Sequence, residues 1–243
     1  MNLKVVGFYH FSSKTKIALM AVLMFFFVVT SMVYVQAYHK LKPVFEIPTQ
    51  DKVVALTFDI SWGNQTPMPV IEILKKNNIQ STFFLSGPWV KQYPDIPLRI
   101  KKDGHEIASH GYRHINLSTL SQPEIKDEIT KANDAIKEVT GVTPTLIRTP
   151  NGDYNDEVIK AAHDVNYEVI QWSVDSLDWM NPGPGTITER VVKKVKPGSI
   201  ILMHASDTCK QTTEALPNVI KELKAQGYEF VTVSELMKKA EKK

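Results

Sequence analysis

Apolar and polar positions change period several times along the chain, and each change marks an element. Ile17 to Ala37 (IALMAVLMFFFVVTSMVYVQA) carries no charge, with only Thr30, Ser31 and Gln36 as clearly polar interruptions. A helix rises about 1.5 Å per residue, so this run predicts a transmembrane helix over 17–37, crossing a hydrocarbon core of roughly 30 Å. Tyr38 to Lys52 is polar, holds two prolines and lacks periodicity, which predicts a linker over 38–52. From 53 to 243, apolar runs alternate with amphipathic ones. Strands are expected at Val53–Asp59, Gln80–Ser86, His105–Ser109, Thr145–Arg148, Tyr167–Val174, Ser199–His204 and Tyr228–Val233. Helices are expected from Thr66-Pro67 to about Asn77, near Ile96–Asp103, over Ser121–Thr140, Asn155–Val165, Thr186–Val195 and Glu214–Gln226, then a short basic one. Ser121 with Glu124 has capping-box spacing, and Gly141 stops that helix.

Seven strands, each followed by a helix or a loop plus helix, argue for a parallel sheet covered by helices, either barrel or doubly wound. Polar residues help to choose. Asp59 ends the first strand, His110 follows the third, Arg148 ends the fourth, Asp175 follows the fifth and His204 ends the sixth. In a (β/α) barrel the C-terminal strand ends converge on one face, whereas an open sheet joins only those beside its switch point. Five contributors favour the barrel.

Composition and charge change the picture in one respect. At 243 residues, 43% hydrophobic and 23% charged, the chain is neither disordered nor a Cys-rich miniature scaffold. Its net charge of +3 lies wholly in Lys4, Lys14 and Lys16, which leaves 26 basic against 26 acidic residues from Tyr38 onward. A neutral body argues against nucleic acid as a partner. Lysines ahead of an apolar run put residues 1–16 on the cytoplasmic side and the body outside. A signal peptide cut after Val35-Gln36-Ala37 is the rival to a retained anchor, and it exports the same body. The single Cys209 reads as an incidental small residue rather than a catalytic thiol.

Candidate chemistry gathers at the strand ends. His110 and His114, four apart in Ser109-His110-Gly111-Tyr112-Arg113-His114, have the spacing of a divalent-metal pair, against two unrelated surface histidines. Asp59 closes an apolar strand and must be paired or functional; Arg148 is its natural partner, whether in a structural ion pair or around a catalytic base. His204 closes Ile200-Ile201-Leu202-Met203-His204, and either Asp175 or Asp178, beside Trp179, has the chemistry to hold an imidazole. Base, metal ligands, arginine, acid and orienting carboxylate on one face are the roles of a hydrolytic site.

Thr57-Phe58-Asp59, the 109–114 segment, Arg148-Thr149-Pro150-Asn151-Gly152, Asp175-Ser176-Leu177-Asp178-Trp179 and Leu202-Met203-His204 resemble, in order, the five motifs of the NodB-type polysaccharide deacetylases, carbohydrate esterase family four. The resemblance covers about Lys52 to Val233. Thr57 to Gly63 (TFDISWG) and the apolar N-terminus look closest to sporulation deacetylases of the PdaB type. It implies a distorted (β/α) barrel of about seven parallel strands and metal-dependent N-deacetylation of peptidoglycan, chitin or a related glycan. By motif position, Asp59 is the base, tethered by Arg148, and His204 is the acid, oriented by Asp178 with Asp175 beside it. His110 and His114 hold a divalent ion, commonly zinc, while Asn151, Trp179 and Leu202 serve substrate and oxyanion.

One position departs from the pattern. The family's third metal ligand is an acidic residue next to the base, and here it is Ile60. Two histidines are one ligand short of the usual catalytic zinc site. Asn64, Ser61 or water in the gap, reduced metal dependence, and a catalytically silent glycan-binding or cortex-assembly domain are the competing consequences. Thr149, where proline is common, is a lesser change.

Overall fold

In the computed structural model residues 12–37 and 41–241 are described. The chain divides into two compact units, Met1–Leu41 and Lys42–Lys243. The first contains helix α1, Ser13–Ala37, whose described apolar side chains, Phe25 to Phe27 among them, are exposed. Among the described residues no helix is long and apolar enough to cross a membrane. Side-chain description in α1 ends at Val28, so the expected span over 17–37 reaches beyond it. Residues 1–11, with Lys4, also lie outside the described residues.

The second unit is a parallel barrel. Its strands are β1 (Val53–Ile60), β2 (Thr82–Leu85), β3 (Glu106–Ser109), β4 (Leu146–Ile147), β5 (Glu168–Val169), β6 (Val174–Asp175), β7 (Ile200–His204) and β8 (Glu229–Val231). Hydrogen-bonded order is β5-β4-β3-β2-β1-β7-β6, with β8 also on β1, and every pairing is parallel. The helices are α2 (Pro67–Lys76), α3 (Gly87–Gln92), α4 (Asp95–Lys102), α5 (Gln122–Thr140), α6 (Asp156–Asp164), α7 (Pro184–Lys194), α8 (Thr212–Ala225) and α9 (Val233–Glu241).

The expected fifth strand is one stretch of chain that changes partners. Its first half pairs with β4, Leu146 opposite Glu168, and its second half with β7, Val174 opposite Ile201. In between, the Ile170 N–H donates to the Ile147 carbonyl (2.8 Å) and the Ser173 N–H to that of Ile200 (3.1 Å). The two ends of the sheet order are therefore joined by a single kinked segment, and that irregular closure is the barrel's distortion. Below the kink, β5 and β7 diverge, and residues 44–47 fill the opening. Val44 bridges to Ile170, Glu46 to Ser199, and the Ile47 N–H donates to the Gly198 carbonyl at 2.9 Å. Residues 44–47 of the stretch read as a linker are thus hydrogen-bonded into the barrel wall.

Strand alternation sets the chemistry of β1. Val54, Leu56, Phe58 and Ile60 face the helices and pack with Val70, Ile71 and Leu74 of α2 and Leu216 and Val219 of α8. Ala55 packs instead in the interior cluster with Phe84, Ala108 and Ile200. Asp59 is on that same inward face, and Ile60 is turned away from it. α5 starts as its capping box predicts, the Ser121 N–H donating to the Glu124 carboxylate at 2.8 Å, and stops at Gly141 with φ 69°. α3 is an additional element, short and opened by Gly87-Pro88, whose turn-like composition hides it.

Candidate active site

Asp59 and His204 are register partners on the neighbouring strands β1 and β7. Both open into one cleft of about 480 Å³, shared with His110, His114, Asn151, Asp175, Trp179 and Leu202. Arg148 and Asp178 are fully buried behind it. The strands thus bring every residue expected from the sequence to the C-terminal end of the barrel, eight lining the cleft and two buried behind it.

Arg148 holds Asp59. Its Nη1 donates to Asp59 Oδ1 at 2.7 Å and to Thr57 Oγ1 at 2.9 Å, and Nη2 donates to the Gln171 carbonyl at 3.0 Å. The guanidinium lies 4.1 Å over the Phe84 ring, which shields it from water. Burial works to raise the Asp59 pKa, but the charges of Arg148, His110 and His204 outweigh it and hold the carboxyl below its ordinary value. Asp59 is therefore an ionised acceptor with Oδ1 occupied and Oδ2 turned toward His110 Nε2, 3.6 Å away.

His204 is held the opposite way. Asp178 takes its Nδ1 at 2.7 Å and its backbone N–H at 2.7 Å, and is itself steadied by the Thr212 hydroxyl at 2.6 Å. Burial works to lower the His204 pKa, but the hydrogen bond and charge of Asp178, helped by Asp59 and Asp175, raise it above the ordinary value. Of the two carboxylates considered, Asp178 is the one that orients the imidazole. Asp175 accepts the Leu177 N–H at 2.8 Å in a local turn and faces the cleft. The two environments pull in opposite directions, favouring the anion at Asp59 and the cation at His204, which is the kind of split that acid–base chemistry uses.

His110 and His114 stand with ring centroids 5.0 Å apart. The Arg148 carbonyl sits 2.9 Å from His110 Nδ1; a carbonyl only accepts, so the proton is on Nδ1 and Nε2 keeps its lone pair. Burial pushes the His110 pKa down to about 4 against the pull of Asp59. Burial lowers that of His114 too. His114 has φ 52°, a left-handed backbone uncommon outside glycine.

The donors were tested against the zinc that the motifs imply. Adjacent ligands of a tetrahedral zinc lie about 3.3 Å apart, and His110 Nε2 and Asp59 Oδ2 come near that spacing. Ile60, however, is fully buried in the helix-facing core. Asn64 is exposed, its N–H donating to Asp207, and the Ser61 hydroxyl is engaged with that of Ser86. Among the described residues the one converging group of three donors is Asp178, His204 and Cys209, and it excludes the histidine pair. The residues at His110 and His114 do not complete a three-ligand zinc site.

Several contributors escaped sequence reasoning. Trp62, Trp172, Ser206, Thr208 and Cys209 line the cleft, and the Cys209 thiol is pushed up to about 12 by burial, which keeps it protonated. Asn151 has φ 58° and its side chain donates to Asn116 at 2.7 Å, leaving its backbone as the feature that fits an oxyanion role. Gln171 donates to the Thr149 hydroxyl at 2.7 Å, a bond that proline at 149 could not accept.

Residues 46–170 match the polysaccharide deacetylase family. The chain is 35% identical to the uncharacterized protein YlxY of Bacillus subtilis over 81% of its own length and 60% of that protein's. It is 38% identical to the peptidoglycan-N-acetylglucosamine deacetylase PgdA of Listeria monocytogenes, over 76% of this chain and 39% of that one. The chain therefore spans less than two thirds of the length of these curated relatives. Among solved structures, a CE4 family pseudoenzyme from Bacillus anthracis superposes with a TM-score of 0.77 at 38% identity, covering 81% of this chain and 69% of the other. With the barrel, the paired carboxylate and imidazole and the family match in agreement, the chain belongs to the polysaccharide deacetylases, the NodB-type members of carbohydrate esterase family four.

Proposed function

We propose that this protein is a hydrolase that removes N-acetyl groups from peptidoglycan or a related N-acetylated polysaccharide. The observation that carries the reading is the opposite tethering of Asp59 and His204 across one strand pair. Asp59 Oδ2 takes a proton from water as its oxygen attacks the acetyl carbonyl carbon. The tetrahedral oxyanion is met by backbone N–H near Asn151. His204 gives its proton to the amide nitrogen as the C–N bond breaks, which yields acetate and a free amine. Arg148 keeps Asp59 ionised and Asp178 fixes the His204 tautomer. Trp179 and Leu202 shape the substrate's seat. The deacetylase activity named for PgdA supports the same reaction class.

A second reading is a catalytically silent glycan-binding or cortex-assembly factor. It is favoured by Ile60 in the core and by the likeness to a pseudoenzyme. Retention of both base and acid puts the enzyme first, since binding alone needs neither. Lys4, Lys14 and Lys16 ahead of the apolar run support an exported, membrane-tethered enzyme, with cleavage near Ala37 as the alternative; the mass of the mature N-terminus decides between them. A sporulation role rests on the phrase Thr57 to Gly63. The test is acetate release by the full chain from chitin oligomers and from peptidoglycan, with metal content measured alongside. Release abolished by Asp59→Asn establishes the enzyme, and no release from either substrate leaves the silent reading.

A further inference from the structure

The segment between β1 and α2 carries a tryptophan to the rim of the cleft on an unusually well fixed mount. Trp62 is 51% exposed and lines the cleft, with its ring centroid 4.6 Å from that of His114. The loop after β7 grips its backbone from both sides. Ser206 Oγ accepts the N–H of Ser61 (3.0 Å) and of Trp62 (3.4 Å), and the Asp207 N–H donates to the Trp62 carbonyl at 3.1 Å. The Asp207 carboxylate accepts three successive N–H groups, from Asn64, Gln65 and Thr66, at 2.8–3.0 Å. Gly63, at φ 76°, lies so close that an added Cβ would fall 2.1 Å from Asp207 Cγ. Trp89 Nε1–H closes the turn on the Gly63 carbonyl at 2.6 Å.

The same loop after β7 braces the other rim. The Thr208 carbonyl accepts from Asn181 Nδ2 at 2.9 Å and Gln211 Oε1 accepts the Gly183 N–H at 2.6 Å, which steadies the segment that presents the 52% exposed Trp179. A half-exposed indole on a rigid mount costs little further entropy on binding, and its electron-rich face attracts the C–H edges of a sugar ring.

We propose that Trp62 is a stacking platform for a pyranose ring of the glycan, next to the sugar whose acetyl group reacts. This rests on the glycan reading above, and it makes the protein a reader of oligomers rather than of single sugars. His114 abuts one side of the indole, and its exposed part takes the sugar.

Binding of chitotetraose and of N-acetylglucosamine to the full chain, followed by calorimetry, tests this together with acetate-release kinetics. Trp62→Ala is expected to weaken tetraose binding about tenfold and to erase its advantage over the monomer. The kinetic loss falls on KM rather than kcat, at an unaltered thermal midpoint, and Trp62→Phe restores most of it. Wild-type chain that binds tetraose no better than Trp62→Ala overturns the platform and leaves the deacetylase reading standing. Wild-type chain that binds no N-acetylated oligomer overturns both.

Discussion

Glu128, buried on α5, holds Arg113 at two points: its carboxylate accepts the Arg113 backbone N–H at 3.0 Å and the Nε–H at 2.5 Å. Arg113 immediately precedes His114, whose backbone is left-handed. Glu128→Ala is expected to cost about 2–3 kcal/mol of stability, the worth of lost charge-assisted bonds, and to lower acetate release as the 110–114 segment loosens. Thermal unfolding and rate within error of wild type would show that the segment holds itself.

Asp59→Asn separates chemistry from stability. The base is lost, so the rate falls about 10²- to 10⁴-fold. Buried Arg148 loses its counter-charge, at a cost of up to about 3 kcal/mol. Thermal unfolding reads the second effect even where there is no activity to lose, which is the pattern of a silent domain.

Under the proposed mechanism, the opposite bias of Asp59 and His204 sets a pH profile. Asp59 works as the anion and its pKa lies below the usual 3.8, so the acid limb falls only below about pH 4. His204 works as the cation, faced by Asp178, Asp59 and Asp175, and its pKa lies above the usual 6.5, so the alkaline decline of kcat/KM begins above that value. A kcat/KM still climbing above pH 9 contradicts His204 as the acid.

Ile60→Asp restores the family's residue type on a strand face that packs against α2 and α8. In metal-free buffer it leaves a carboxylate in apolar surroundings and lowers the thermal midpoint, by several kcal/mol in stability. Added zinc is expected to recover part of that loss only if the strand end turns the new side chain toward His110 and His114. Equal midpoints with and without zinc mean that it stays in the core.

His105, remote from the cleft, predicts acid lability. Burial drives its pKa to about 4, with Asp103 raising it and Arg99 lowering it. As pH falls, the unfolded chain takes the proton near 6.5 and the folded one resists until about 4. Stability therefore declines across that window by about 3 kcal/mol. His105→Gln should flatten that slope in denaturant titrations at stepped pH; an unchanged slope assigns the lability elsewhere.

Much of the molecule was legible before any coordinates. Capping at Ser121 and Gly141, and the polar residue at the end of five of the seven expected strands, are local signals, and local signals survive folding. The partner change between Val169 and Val174 is not local: YEVIQWSV reads as one buried strand because neither half carries a mark of which neighbour it will meet. Motif position alone pointed to Asp178 as the residue that orients His204; the chain pattern did not separate it from Asp175, which instead closes a turn on Leu177. Trp62 and Glu128 escaped because an exposed tryptophan and a mid-helix glutamate are ordinary until their partners, far away in sequence, are known.

Residues 44–47 behave as the last stave of the barrel. They engage Val169, Ile170 and Gln171 at the end of β5 and Gly198 and Ser199 just ahead of β7. A fragment starting at Val53 would leave those backbone groups as an unpaired seam, inviting edge-to-edge association. One starting at Lys42 keeps the wall closed.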